Sequence, residues 1–174
     1  NMGLTAEKLF ARSDCSREEM DRWALRSHQL ATAARRAGFF ADEILPVDAE
    51  QADGTVMRVD RDQSVRENTT LEGLSQLKPV FKKDGVITAG VSSPLNAGAT
   101  AMLLMSGETA RKKGITPLAV IRSIGFAGVD PTIMGQGPVP ATEKALKAAR
   151  LEAADIDYWE INEAFCVVAL NCIK

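Results

Sequence analysis

The sequence predicts an α/β protein, and three observations carry that prediction. Residues 13–38 repeat apolar or small side chains at helical spacing behind a capping signal. Residues 99–105 form an apolar run interrupted only by Thr100, of the kind found in segments buried on both faces, and residues 118–126 read as another buried strand. Asp53-Gly54 stands between two short β-rich stretches, where a hairpin turns. The composition agrees: 45% hydrophobic and 25% charged residues over 174 positions describe a globular chain rather than a disordered one. That length fits one ordinary domain or parts of two.

The elements follow in order. Residues 2–12 read as a short helix with Thr5 as its cap. Ser16-Arg17-Glu18-Glu19 is a capping box, and Met20, Trp23, Ala24, Ser27, Leu30, Ala31 and Ala34 form the buried face of a helix that Gly38 stops. Residues 44–47 predict a strand with Pro46 at its edge. Residues 55–59 predict the second arm of the hairpin. Thr70 opens a short helix bounded by Pro79. Residues 86–90 predict a strand, and residues 99–105 a buried strand or helix. Ser106-Gly107-Glu108 caps a short helix closed by Gly114. Thr116-Pro117 is the one linker-like join. Residues 118–126 predict a buried strand, 130–140 a compact loop, 142–150 a helix and 156–161 a further strand. Asn162-Glu163-Ala164-Phe165 then opens the last helix.

The charge balance narrows the functional classes. Lys plus Arg number 21 and Asp plus Glu 23, a net charge of -2 that offers no basic surface for nucleic acid. No stretch reaches the roughly 20 apolar residues of a membrane span. Residues 1–10 lack the pattern of a signal peptide, so the expected compartment is cytoplasmic. Cys15, Cys166 and Cys172 are too few for a disulfide framework and lack metal-ligand spacing, so they read as buried spectators. His28 stands mid-helix with no Cys, Asp or Glu beside it in sequence to orient it, and reads as structural or exposed. Gly125-x-x-Gly128 and Gly135-x-Gly137 read as turn geometry rather than phosphate loops. The apolar run at residues 165–174 has no cap or following loop; either the sequence merely stops there or it is an internal piece of a longer protein.

Asn162 has two readings. It caps the following helix, which is the first reading from those four residues alone. It also suits a cleft beyond the ends of strands, where an amide holds a water or donates to an oxyanion.

The sequence resembles the thiolases, meaning acetyl-CoA acetyltransferases and 3-ketoacyl-CoA thiolases. The resemblance runs through MGLTAE at 2–7, SREEMDRWALRSH at 16–28, TTLEGLSQLKPVF at 69–81, ITAGVSSPLNAGATAMLLMS at 87–106, GVDPTIMGQGPVPATEKAL at 128–146 and DIDYWEINEAF at 155–165. It implies a partial thiolase-like α/β fold. Residues 1–95 would be the CoA-binding loop domain, 96–117 the end of the N-terminal half, and 118–174 the start of the C-terminal half. It also implies reversible Claisen condensation and thiolytic cleavage of 3-ketoacyl-CoA through a cysteine acyl-enzyme, in fatty-acid β-oxidation and lipid metabolism. The family's nucleophilic Cys, its His-Pro-(Leu or Ile)-Gly histidine and its Cys-x-Gly cysteine have no counterpart in this sequence. The chain alone is therefore expected to be inactive, because a thiolate and a base are both needed.

By the same resemblance, Met2, Arg66, Leu77, Phe81, Ala89 and Ser93 would contact coenzyme A, which enters as substrate. No covalently bound cofactor and no metal are implied. Arg66 would meet a phosphate or the nucleotide. Leu77 and Phe81, four apart, would share a helical face against pantetheine or adenine. Ser93 would bond the pantetheine amide. Met134 and Phe165 would line the acyl pocket, and Asn162 would hold an oxyanion-hole water. A homodimer or homotetramer is expected of the full-length protein. Val91, Pro94, Ala97 and Arg150 depart from the family's usual Asn, Gly, Asp and Gly. Pro94 removes a backbone donor, and Arg150 leaves a helix end without its glycine. Two alternatives are a non-catalytic acyl-CoA-binding or dimer-assembly module, and a related condensing enzyme that makes the carbon–carbon bond.

Overall fold

A computed structural model describes all residues, Asn1–Lys174. The chain divides into two units, Asn1–Pro94 with Glu163–Lys174, and Leu95–Asn162.

In the first unit, α1 spans Met2–Phe10 and α2 spans Arg17–Arg36. The cap of α1 is Asn1, whose Oδ1 accepts from the Gly3 N–H at 2.9 Å. Thr5 lies within the helix and donates to the Met2 carbonyl instead, so the Thr5 cap is not formed. The capping box of α2 is complete: Ser16 Oγ accepts from the Glu19 N–H at 3.1 Å, and the Glu19 carboxylate accepts from the Ser16 N–H. Gly38 ends that segment at φ 74°, a left-handed conformation that costs a side-chain-bearing residue more. Strands β1 (Val47–Glu50) and β2 (Val56–Val59) pair antiparallel around the Asp53-Gly54 turn. Pro46 precedes the ladder, and Ile44 belongs to the turn before it through a bond to Phe40. Helix α3 (Leu71–Ser75) is capped by the Thr70 hydroxyl.

Residues 86–90 are not a strand. Only Thr88 pairs, with Pro79, and the chain then closes into a 3₁₀ turn at Ala89–Val91. The core gathers Ala6 and Leu9 of α1, Met20 and Ala24 of α2, Leu74 of α3, and Ile87 and Val91 of the turn, with Cys166 and Val167. Full burial of an aliphatic side chain such as Ile87 contributes about 1.5–3 kcal/mol.

Two buried carboxylates tie these pieces together. Glu7 accepts from the N–H groups of Val86 and Ile87, both at 2.9 Å. Asp21, 2% exposed, takes both carboxylate bonds from Arg17 Nε at 2.9 and 3.0 Å. Arg17 Nη2 continues to the carbonyls of Leu74 and Leu77 at 2.8 and 3.2 Å, which fixes the end of α3.

In the second unit, α4 spans Gly107–Lys112 and is capped by Ser106, with Gly114 closing it at φ 66°. A 3₁₀ segment at Pro131–Gln136 leads into α5, Pro138–Ala149. The helix starts earlier than residue 142 because Pro138 at its first position needs no amide partner. Arg150 ends it at φ 59° and ψ 45°. The 123–126 segment lies along α5: Ser123 Oγ donates to the Ala145 carbonyl at 2.8 Å, and Lys144 Nζ donates to the Phe126 carbonyl at 2.9 Å. A Cβ at Gly125 would come within 2.8 Å of the Ala145 nitrogen.

The expected strands at 99–105, 118–126 and 156–161 are absent, and most of the apolar side chains of these segments are exposed. Leu103 is 80% exposed, Phe126 81% and Tyr158 80%. A strand exists only through the ladder its neighbours provide, and the β1–β2 hairpin is the sheet this chain forms. The final helix, α6 (Cys166–Ile173), returns to the first unit and packs on α1 and α2.

Candidate functional site

The sequence-predicted residues of the first unit fall into two neighbouring groups. The first is built on the loop before α3. The Arg66 N–H donates to His28 Nδ1 at 3.2 Å, and the Arg66 carbonyl accepts from the Thr69 hydroxyl at 2.8 Å. Glu67 pairs with Arg35 and Arg36 at the end of α2. These contacts dock the loop on α2 while Arg66 stays exposed. Beside it lies an open cleft of about 430 Å³, lined by Arg66, Asn68, Thr70, Gly73, Leu74 and Leu77 among others. Glu67 also lines it, with its charge taken up by Arg35 and Arg36, so Arg66 beside the apolar side chains of Leu74 and Leu77 suits a ligand with an anionic group and an apolar body.

Leu77 and Phe81 do not share a helical face. Helix α3 ends at Ser75, and Pro79 pairs with Thr88 instead of continuing it. Leu77 packs over Gly90, where an added Cβ would sit 2.7 Å from Leu77 Cδ1. Phe81 covers Gly3, whose missing side chain leaves room for the ring.

The second group centres on Phe81. Its ring meets Phe165 edge to face, with centroids 6.1 Å apart and planes at 80°. The Ser93 N–H donates to the Ala164 carbonyl at 2.9 Å, and Ser92 bridges to Phe165. The Ser93 hydroxyl points to the Pro94 carbonyl at 3.3 Å. Met2 is the exposed first residue of α1, and Ala89 is exposed at the start of the 3₁₀ turn. Met134 and Asn162 belong to the other unit, Met134 in the Pro131–Gln136 segment and Asn162 at its exposed end.

Asn162 is not a helix cap. Helix α6 begins at Cys166 behind Phe165, which is extended at φ -144° and ψ 142° and gives no side-chain cap. Glu163 explains the delay. Its carboxylate accepts from Trp23 Nε1 at 2.8 Å and from the Ser27 hydroxyl at 2.6 Å, holding the segment against α2. Sequence reasoning passed over Glu163 because its partners lie 140 and 136 residues away. It passed over Glu7 for the same reason. The detectable signal was on α2: Trp23 and Ser27 are four apart on its inward face, and a half-buried indole N–H and hydroxyl there call for an acceptor.

Burial pushes the Cys166 thiol up to about 12, with the charges of Glu163 and Asp21 acting the same way. Burial also raises Cys172. Cys166 therefore stays a protonated thiol at neutral pH and is a poor nucleophile. Burial lowers His28, the Arg66 charge adds to this, and Glu163 opposes it. No group of His, Cys, Asp and Glu side chains is placed to hold a metal ion. No helix is long and apolar enough to cross a membrane.

Comparison with known proteins follows the same lines. The family model for the thiolase N-terminal domain matches residues 1–108, and that for the thiolase C-terminal domain matches residues 115–174. Among curated relatives, a 3-ketoacyl-CoA thiolase of Cronobacter sakazakii is 55% identical over 174 residues, covering 99% of this chain and 45% of its own length. One from Vibrio vulnificus is 52% identical with the same coverage. Of solved structures, the Bacillus anthracis acetyl-CoA acetyltransferase superposes with a TM-score of 0.93 at 44% identity, covering 98% of this chain and 43% of that one. Human mitochondrial 3-ketoacyl-CoA thiolase gives 0.85 at 41% identity, again over 98% and 43%. The chain thus has a thiolase-type α/β fold in part, and spans less than half the length of these relatives.

Proposed function

The chain belongs to the thiolase family, and from that membership we propose that it is the CoA-cradling midsection of a CoA-dependent acyltransferase. The reaction is reversible Claisen condensation and thiolytic cleavage of 3-ketoacyl-CoA, in fatty-acid β-oxidation. The observation that carries the reading is the cleft lined by Arg66 together with Leu74 and Leu77.

In this reading Arg66 binds the phosphate-bearing nucleotide end of CoA through charge-assisted hydrogen bonds. Leu77 offers apolar contact to the same ligand. Met2, Phe81, Ala89 and Ser93 flank the pantetheine arm. Met134 and Phe165 line the acyl pocket, and Asn162 holds the water that stabilises a developing oxyanion. The nucleophilic thiolate and the imidazole that activates it come from polypeptide outside these residues. The state of the chain's own thiols supports this, since Cys166 is 6% exposed and raised to about 12. The full-length protein is a cytoplasmic homodimer or homotetramer.

Calorimetric titration of CoA into the full-length protein tests the site. Arg66→Ala should weaken binding roughly tenfold, the expected size of one lost charge-assisted bond. Unchanged affinity refutes the assignment of Arg66. A polypeptide of these 174 residues should not cleave acetoacetyl-CoA with CoA, and turnover by it refutes the external nucleophile.

A further inference from the structure

We propose that Glu163 is a positioning residue for acyl-CoA. It acts by locking the 163–165 segment so that Phe165 and Ser93 present a fixed surface to the substrate. The inference rests on the CoA reading given above.

The argument is one of connected bonds within the first unit. The Glu163 carboxylate is held at both oxygens, Oε1 by the Trp23 indole N–H at 2.8 Å and Oε2 by the Ser27 hydroxyl at 2.6 Å. Both donors project from α2, the longest helix, so the clamp is anchored on a rigid element. Trp23 is itself restrained, with the Arg26 guanidinium 5.1 Å from its ring centre. The next residue, Ala164, offers its carbonyl to the Ser93 N–H at 2.9 Å. The residue after that, Phe165, sets its ring edge-on to Phe81. Three consecutive residues therefore transmit the position of α2 to Ser93 and to the aromatic pair. Nothing within the segment itself would do so, because Phe165 makes no side-chain cap and the chain is extended there.

The role is separable from simple stability. Glu163 is half-buried and outside the apolar core cluster, so its truncation opens no cavity among those core side chains. A loosened segment lets Ser93 and Phe165 sample more positions, and the substrate must then order them on binding.

The test uses the full-length enzyme with two readouts, steady-state kinetics and site-resolved amide exchange. Glu163→Ala should raise KM for 3-ketoacyl-CoA roughly tenfold while kcat changes less than about threefold, the pattern of lost ground-state positioning. Exchange at the Ser93 amide should accelerate at least about tenfold, while Leu9 in α1 is unmoved. Glu163→Gln should restore both readouts to within about threefold, because the amide oxygen accepts from the indole and the amide N–H₂ donates to Ser27. Trp23→Phe, which removes one donor and keeps the ring, should shift both in the same direction and be non-additive with Glu163→Ala. If Glu163→Ala does not fold, Trp23→Phe decides by the same two readouts. Faster Ser93 exchange with unchanged KM makes the clamp purely structural and overturns the proposal, as does an unmoved Ser93 amide. A wild-type enzyme that neither binds nor turns over acyl-CoA overturns the functional reading first, and is told apart because it needs no variant.

Discussion

Replacing Arg17 by Met should be among the most damaging single changes in the first unit. Asp21 is 2% exposed, and Arg17 Nε donates to both of its carboxylate oxygens. Removing that cation leaves a buried charge without its partner, which costs about 3–5 kcal/mol. The carbonyls of Leu74 and Leu77 lose their Nη2 donor as well. For a chain of this size the loss lowers Tm by roughly 6–20 °C. The assay is urea and thermal unfolding followed by Trp23 fluorescence in a Trp159→Phe background, so that the signal reports the first unit alone. Arg17→Met with Asp21→Leu should be more stable than Arg17→Met by itself, because the orphaned carboxylate is gone. A Tm within about 2 °C of wild type for Arg17→Met, below the shift from 1 kcal/mol, would falsify the buried-pair argument. So would a double variant less stable than the single.

Three further outcomes follow from particular contacts. Arg150→Gly should stabilise the second unit by about 0.5–1 kcal/mol, since Arg150 sits at φ 59° where a side chain is strained; a lower denaturation midpoint contradicts this. Gly125→Ala should destabilise that unit by about 2–4 kcal/mol, because the new methyl meets the α5 backbone and disturbs the Ser123–Ala145 bond; wild-type unfolding would show that the segment moves aside freely. His28 is lowered in the fold, so the native state binds fewer protons than the unfolded chain near the ordinary value of 6.5. Stability is present above that value and falls as pH drops through it towards the native value. His28→Asn keeps an acceptor for the Arg66 N–H without titrating, and should flatten the loss between about pH 7 and pH 5, which bracket the usual histidine range; an identical pH profile for the variant removes His28 as the cause.

How much was legible depended on the range of each interaction. Ser16 with Glu19, Thr70 with Gly73, Ser106 with Thr109, and the Asp53-Gly54 turn are all local, and each reads directly from neighbouring residues. The apolar runs at 99–105 and 118–126 misled for the opposite reason. Their side chains favour burial in a sheet, but a ladder needs partner strands that these residues do not supply. Asn162 looked like a cap because the chain after it turns helical, yet the long-range hold on Glu163 delays the helix to Cys166. The thiolase membership was legible because ordered blocks of sequence survive independently of how any one segment pairs. Glu7 and Glu163 were not, since their partners are set by tertiary approach.

The return of α6 to the first unit has a consequence for how the polypeptide is made. Val167 is fully buried against residues of α1 and α2, so the hydrophobic centre of that unit draws on both ends of the string. Leu95–Asn162 must leave the ribosome in between. At the usual pace of about 5–20 residues per second, the nascent first unit waits several seconds with the places that Cys166 and Val167 fill in its core still open.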